Sequence, residues 1–148
     1  MLNTGVMLVS HGNRGIVELP DGDQLECKFR RSVGRPCCGD RVEVERADSN
    51  SAVVAAILPR NNVFVRANAR QQKQIIAANL DQVLIVIAPQ PEPSRDLVER
   101  YLVAVHSLGI QPIIVINKAE LLENGNLDPI GPLAHLDDYR ELGYPVVP

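Results

Sequence analysis

Between Gln82 and Glu120 the chain reads QVLIVIAPQPEPSRDLVERYLVAVHSLGIQPIIVINKAE. The run QVLIVIA (82–88) is apolar almost throughout, as expected of a strand covered on both faces. PQPEP (89–93) must be a loop. Ser94 is placed to cap a helix N-terminus with its hydroxyl, and Asp96 suits the positive end of the helix dipole. Leu97, Tyr101, Leu102, Val105 and Leu108 then fall on one helical face, and Gly109 stands where a helix would stop. PIIVIN (112–117) is a second apolar strand. Strand, helix, strand over this length is a βαβ unit, which requires a parallel sheet and a right-handed crossover.

In such sheets ligands bind at the carboxyl ends of the strands, where Asn117, Lys118, Ala119 and Glu120 fall. The residue types suit a purine. An Asn amide donates and accepts, so it can grip a base edge and pin neighbouring backbone. A Lys stem can lie across a base plane through its methylenes. The Glu120 carboxylate can accept two adjacent N–H groups, which guanine offers (N1–H and the exocyclic amine) and adenine does not.

The first part of the chain has a different rhythm. GVMLVS (5–10), RGIVEL (14–19), QLECKF (24–29), RVEVE (41–45) and AVVAAIL (52–58) are short and rich in β-branched residues. Gly12-Asn13 and Pro20-Asp21-Gly22-Asp23 supply turn chemistry between them. Val42 and Val44 alternate with charged neighbours and are expected to face inward. Five short strands point to a small closed barrel, an OB-fold first and an SH3-like barrel second. The expected architecture is therefore mixed. A five-stranded OB-fold barrel spans 1–58, a basic connector 59–75, and the first part of an α/β domain 76–148, with a second helix near 132–142 and a strand start at 144–147.

Composition narrows the function classes. The 148 residues are 45% hydrophobic and 22% charged, with no Trp, which is ordinary for a globular protein. No stretch approaches the roughly 18–20 apolar residues of a membrane span. The opening MLNTGVMLVSHGNRG has no positive lead followed by a long apolar middle, so a cytoplasmic location without membrane partners is expected. Cys27, Cys37 and Cys38 lack zinc-type spacing, and His11, His106 and His135 are scattered. Reduced structural thiols and no metal site are expected. The net charge of −3 is uneven: residues 1–75 carry 11 Lys/Arg against 8 Asp/Glu, and residues 76–148 carry 4 against 10. Units of opposite sign suit different partners.

Lys28, Arg30, Arg31, Arg35 and Arg41 stand against a single acid, Asp40, within 27–41. Such density can pair with phosphates and release counterions. Phe29 is the only aromatic among the five strands. Recognition of folded RNA by shape and backbone is therefore expected rather than stacking of single-stranded bases.

The stretch IIVINKAEL (113–121) resembles the N-K-x-D guanine-specificity motif of GTPases, with Glu120 at the usual Asp position. Together with the barrel, the connector PRNNVFVRAN and the AANLDQ stretch ahead of the apolar strand, the chain is similar to the ribosome small-subunit-dependent GTPase A family. These are circularly permuted GTPases that assist late maturation of the small ribosomal subunit. The resemblance implies a Rossmann-like, P-loop GTPase type of α/β domain. It also implies GTP or GDP held by Asn117, Lys118 and Glu120, and small-subunit rRNA as the partner of the barrel. In that family the phosphate loop follows the base clamp, and a zinc-binding domain closes the chain. The present sequence has no G-x-x-x-x-G-K-[ST]. It is expected to correspond to the N-terminal portion, with no catalytic residue, with Mg²⁺ and Zn²⁺ belonging to the remainder, and with no GTP hydrolysis of its own. A non-enzymatic RNA-binding adaptor with a degenerate α/β segment is the alternative. A nicotinamide-dependent enzyme is disfavoured, because no Gly-rich fingerprint follows the 82–88 strand.

Overall fold

The computed structural model describes residues 2–67, 71–91, 93–122 and 133–148. They form two compact units, Met1–Leu80 and Asp81–Pro148.

The first unit is built on a closed, OB-fold-like barrel. Its strands are β1 (Leu2–His11), β2 (Arg14–Glu18), β3 (Gln24–Phe29), β4 (Arg41–Arg46) and β5 (Ser51–Ile57). They run in the order β1-β2-β3-β5-β4, and β4 closes back on β1. All pairings are antiparallel except β3 with β5. Period-2 alternation sends Leu25 and Cys27, Val42 and Val44, and Ala52 and Val54 into a core shared with Met7 and Val17. Closure needs a tight bend in β1, where a bulge falls between Met7 and Val9. Gly15 permits it, because a Cβ there would meet the Val9 carbonyl oxygen and the Met7 sulfur.

The segment expected as a connector is instead a hairpin, β6 (Val63–Ala67) with β7 (Lys73–Ala78), and it belongs to the first unit. Its base is fastened to the barrel through Cys37–Asp40. The Ala78 N–H donates to the Cys38 carbonyl (2.9 Å), and the Asn79 side-chain amide donates to the Gly39 carbonyl (2.9 Å). Asn62 and Leu80 exchange two hydrogen bonds of 2.8 Å. Gly39 has φ +85° and lies against the Ala78 carbonyl, so no side chain fits there.

Asp40, fully buried, anchors this seam. Its carboxylate accepts from Arg60 Nε (2.6 Å) and Nη2 (2.8 Å), and from the Cys37 N–H (2.7 Å). Burial alone would raise the Asp40 carboxyl's pKa, but the Arg60 fork and the Cys37 amide together hold it below the usual carboxylate value. Burial, with the Asp40 charge beside it, pushes the Cys37 thiol up to about 11. Cys27 is raised by burial in the barrel core, and Cys38 is exposed. Brief maleimide treatment of the native protein at neutral pH is therefore expected to label Cys38 alone, with Cys27 and Cys37 reacting only on unfolding. Mass spectrometry of the peptides checks this.

The second unit is a three-stranded parallel sheet in the order β10-β9-β8, from β8 (Val83–Ile87), β9 (Pro112–Ile116) and β10 (Val146–Val147). Helix α1 (Arg95–His106) makes the crossover, and α2 (Leu136–Glu141) precedes β10. One face of the sheet, carrying Ile85, Ile87, Ile114 and Ile116, is covered by Val98 and Leu102 of α1 and by Leu133, Leu136 and Tyr139. Two details of α1 differ from the sequence reading. The buried stripe of α1 is Val98, Leu102 and Val105, while Leu97 and Tyr101 are 43% and 37% exposed, so the face is rotated by about one residue. Ser94 is the N-cap, but its hydroxyl makes no cap bond. Its carbonyl opens the helix by accepting from Leu97 and Val98. The second helix begins at Leu136, and residue 132, where it was expected to start, lies outside the described residues.

Candidate functional site

The carboxyl ends of β8 and β9 meet within the second unit, where the Asn117 N–H donates to the Ile87 carbonyl at 2.8 Å. The chain then reverses sharply. Lys118 takes a left-handed conformation (φ 58°, ψ 39°), and a single 3-10 turn follows over Ala119–Leu121. The Asn117 Oδ1 accepts the Lys118 N–H (2.9 Å), and among the described residues its NH₂ has no partner. The Lys118 ammonium reaches back to the Gln90 carbonyl at 2.8 Å. Glu120 is exposed and has no hydrogen-bonding or ionic partner among the described residues. The geometry thus presents an amide, a lysine stem and an open carboxylate at the strand ends. Three prolines in the 89–93 loop remove backbone donors, so it cannot cradle phosphates.

The five basic residues expected to bind RNA are distributed over the barrel rather than gathered. Arg30 is ion-paired with Glu45, and Arg41 donates to the Pro59 carbonyl at 3.3 Å. Arg31 is exposed on the single 3-10 turn Arg31–Val33. Arg35 borders a shallow apolar groove with Val33, Ile57 and Ile75. Lys28 has company the sequence did not reveal. Cross-strand register sets His11 opposite Arg14, and Arg14 opposite Lys28, in a row over β1, β2 and β3. The row edges a cleft of about 460 Å³ whose walls include Ile16, Glu26 and Val53. Neither Arg14 nor Lys28 is ion-paired among the described residues. Like charges set directly opposite each other in a sheet are destabilising unless an anion joins them. Only the hairpin pairing of 14 with 28 could have disclosed this row in the sequence.

Among the described residues no cluster of His, Cys, Asp or Glu could hold a metal ion. No helix among them is long and apolar enough to cross a membrane.

The second unit sets Asn-Lys-x-Glu at the end of a strand of its parallel sheet, the first is an OB-fold-like barrel, and comparison with known proteins places the chain in a family. The family model described as RsgA GTPase matches residues 57–148, and the chain belongs to that family. It is 37% identical over 144 residues to the small ribosomal subunit biogenesis GTPase RsgA of Pseudomonas aeruginosa, covering 97% of this chain and 42% of the relative. To the protein of that name in Pseudomonas syringae pv. tomato it is 36% identical over 148 residues. Among solved structures, YjeQ from Thermotoga maritima superposes with a TM-score of 0.68, and YloQ, described as a circularly permuted GTPase, with 0.70. Each is 27% identical and matches 99% of this chain over 51% of its own. The chain thus spans less than half the length of the curated relatives and about half that of the solved structures.

Proposed function

We propose that this chain supplies the RNA-binding barrel and the guanine clamp of a GTPase acting in late maturation of the small ribosomal subunit, in the cytoplasm. The observation that carries the reading is the strand-end geometry, in which Glu120 is exposed and, among the described residues, has no partner, beside the Asn117 amide and the stem of Lys118. Asn117 grips the base edge, Lys118 underlies the ring, and Glu120 accepts the two guanine donors. The sequence carries no Walker-type phosphate loop. This polypeptide by itself is therefore expected to bind guanine nucleotide weakly and not to turn it over.

On the barrel, the row His11, Arg14 and Lys28, supplemented by Arg31 and Arg35, takes phosphates of folded rRNA. Arg30 and Arg41 contribute less, because Glu45 and the Pro59 carbonyl already engage them.

Replacing Glu120 tests the clamp. Glu120→Ala is expected to weaken GDP binding about tenfold or more while leaving ADP binding unchanged, since one charge-assisted pair is lost. Glu120→Asp, which moves the carboxylate back by about one bond, is expected to sharpen guanine over adenine discrimination. Equal losses for GDP and ADP in Glu120→Ala would contradict the assignment.

A further inference from the structure

The contact between Lys118 and the loop after β8 has a consequence for the guanine reading, on which this inference rests. Three of the five residues in the 89–93 loop are prolines without an N–H. The loop therefore has few donors with which to satisfy its own carbonyls. One of those carbonyls, that of Gln90, is bonded by the Lys118 ammonium at 2.8 Å. The donor residue holds a left-handed backbone, φ 58° and ψ 39°. That conformation costs a non-glycine residue on the order of 1 kcal/mol and persists only where surrounding contacts impose it. The neighbouring bonds impose it here: Asn117 is pinned to Ile87 through its N–H, its own side chain takes the Lys118 N–H, and the Leu121 N–H closes on the Lys118 carbonyl. The lysine stem consequently spans from the end of β9 to the loop that leaves β8.

We propose that Lys118 is a positioning residue: its ammonium, anchored on the Gln90 carbonyl, fixes the β8–α1 loop at Pro89–Pro91 as the second wall of the base site. Pro89 is buried and gives that wall a fixed root, while Gln90 and Pro91 are exposed. The stem is set across the gap before a nucleotide arrives, so less side-chain freedom is lost on binding. The loop is thereby a specificity element contributed by backbone and proline rings.

Backbone ¹⁵N relaxation of the full 148-residue chain, without nucleotide, tests the anchor. The order parameter of the Gln90 amide is expected near 0.8 in the native chain, to fall below about 0.6 in Lys118→Met, which keeps the stem and drops the charge, and to recover in Lys118→Arg. The melting temperature is expected to stay unchanged throughout, because the bond is exposed. An unaltered Gln90 order parameter in Lys118→Met overturns the proposal. So does a loss that arginine does not restore and that comes with a lower melting temperature, which marks a general structural defect. Titration with GDP separates this inference from the guanine reading. Shifts at Asn117 and Glu120 with none at Gln90 overturn the wall alone. No shift at any of the three sinks the guanine reading and the wall with it, whatever the relaxation data show about the anchor.

Discussion

Replacing Arg60 with alanine is expected to cost about 3–5 kcal/mol, which is a large share of a small domain's stability. Asp40 is fully buried, and Arg60 supplies two of the three hydrogen bonds its carboxylate receives. Without the guanidinium a buried charge would keep only the Cys37 N–H. The cost comes from that uncompensated carboxylate, so replacing both partners by apolar residues (Asp40→Leu with Arg60→Met) is expected to be less damaging than Arg60→Ala alone. The pH dependence follows from the direction of the Asp40 shift. Its folded-state pKa is depressed, so the pair's contribution is fully present above the unfolded value near 4 and is lost as pH falls through the folded value. In Arg60→Ala the remaining buried carboxylate favours its neutral form, so the deficit against the native protein is expected to shrink on acidification. Urea unfolding of both proteins at pH 7 and below pH 4 measures these differences. A loss under about 1 kcal/mol at pH 7 would show that the hairpin is not held to the barrel by this pair.

Reversing two charges, Arg14→Glu with Lys28→Glu, is expected to weaken binding to small-subunit RNA about 100-fold at moderate salt. Two phosphate contacts are lost and two repulsive groups are introduced. The native protein's affinity is expected to fall steeply with salt, and the double variant's slope to be shallower by about two units. Arg30→Ala serves as the comparison. Arg30 is committed to Glu45, so its removal is expected to change affinity by less than about threefold. Filter binding across a salt series distinguishes the three proteins. Equal losses from Arg30→Ala and from the reversal would mean that local charge density, rather than the row over β1–β3, attracts the RNA.

Much of the fold was legible because its signals are local. QLECKF matches β3 residue for residue, and the apolar runs at 82–88 and 112–117 contain β8 and β9. The hairpin β6–β7 was hidden because its outer half is exposed. Val65, Ile75 and Ile76 mix with Arg66, Lys73 and Gln74, so no buried face imprints a period on the sequence. PRNN and AAN carry the resemblance, and the structure gives them a physical task. Arg60 pairs with Asp40, while Asn62 and Asn79 tie the hairpin ends to each other and to Gly39. The His11–Arg14–Lys28 row depends on strand register, and a single sequence shows register only where a turn fixes it. Asn117, Lys118 and Glu120 were legible as a constellation because four consecutive residues at a strand end stay together in any βαβ unit. The anchor on Gln90 joins residues 28 apart in the chain and emerged only from coordinates.

The central claim is that the end of β9 reads guanine. Titrating the ¹⁵N-labelled 148-residue chain with GMP and, separately, with AMP tests it most directly, since neither ligand depends on a phosphate loop. The expected result is a set of saturable shifts at Asn117, Lys118 and Glu120 with GMP, much smaller shifts with AMP, and loss of that difference in Glu120→Ala. Equal responses to the two nucleotides, or shifts that avoid residues 117–120, would contradict it.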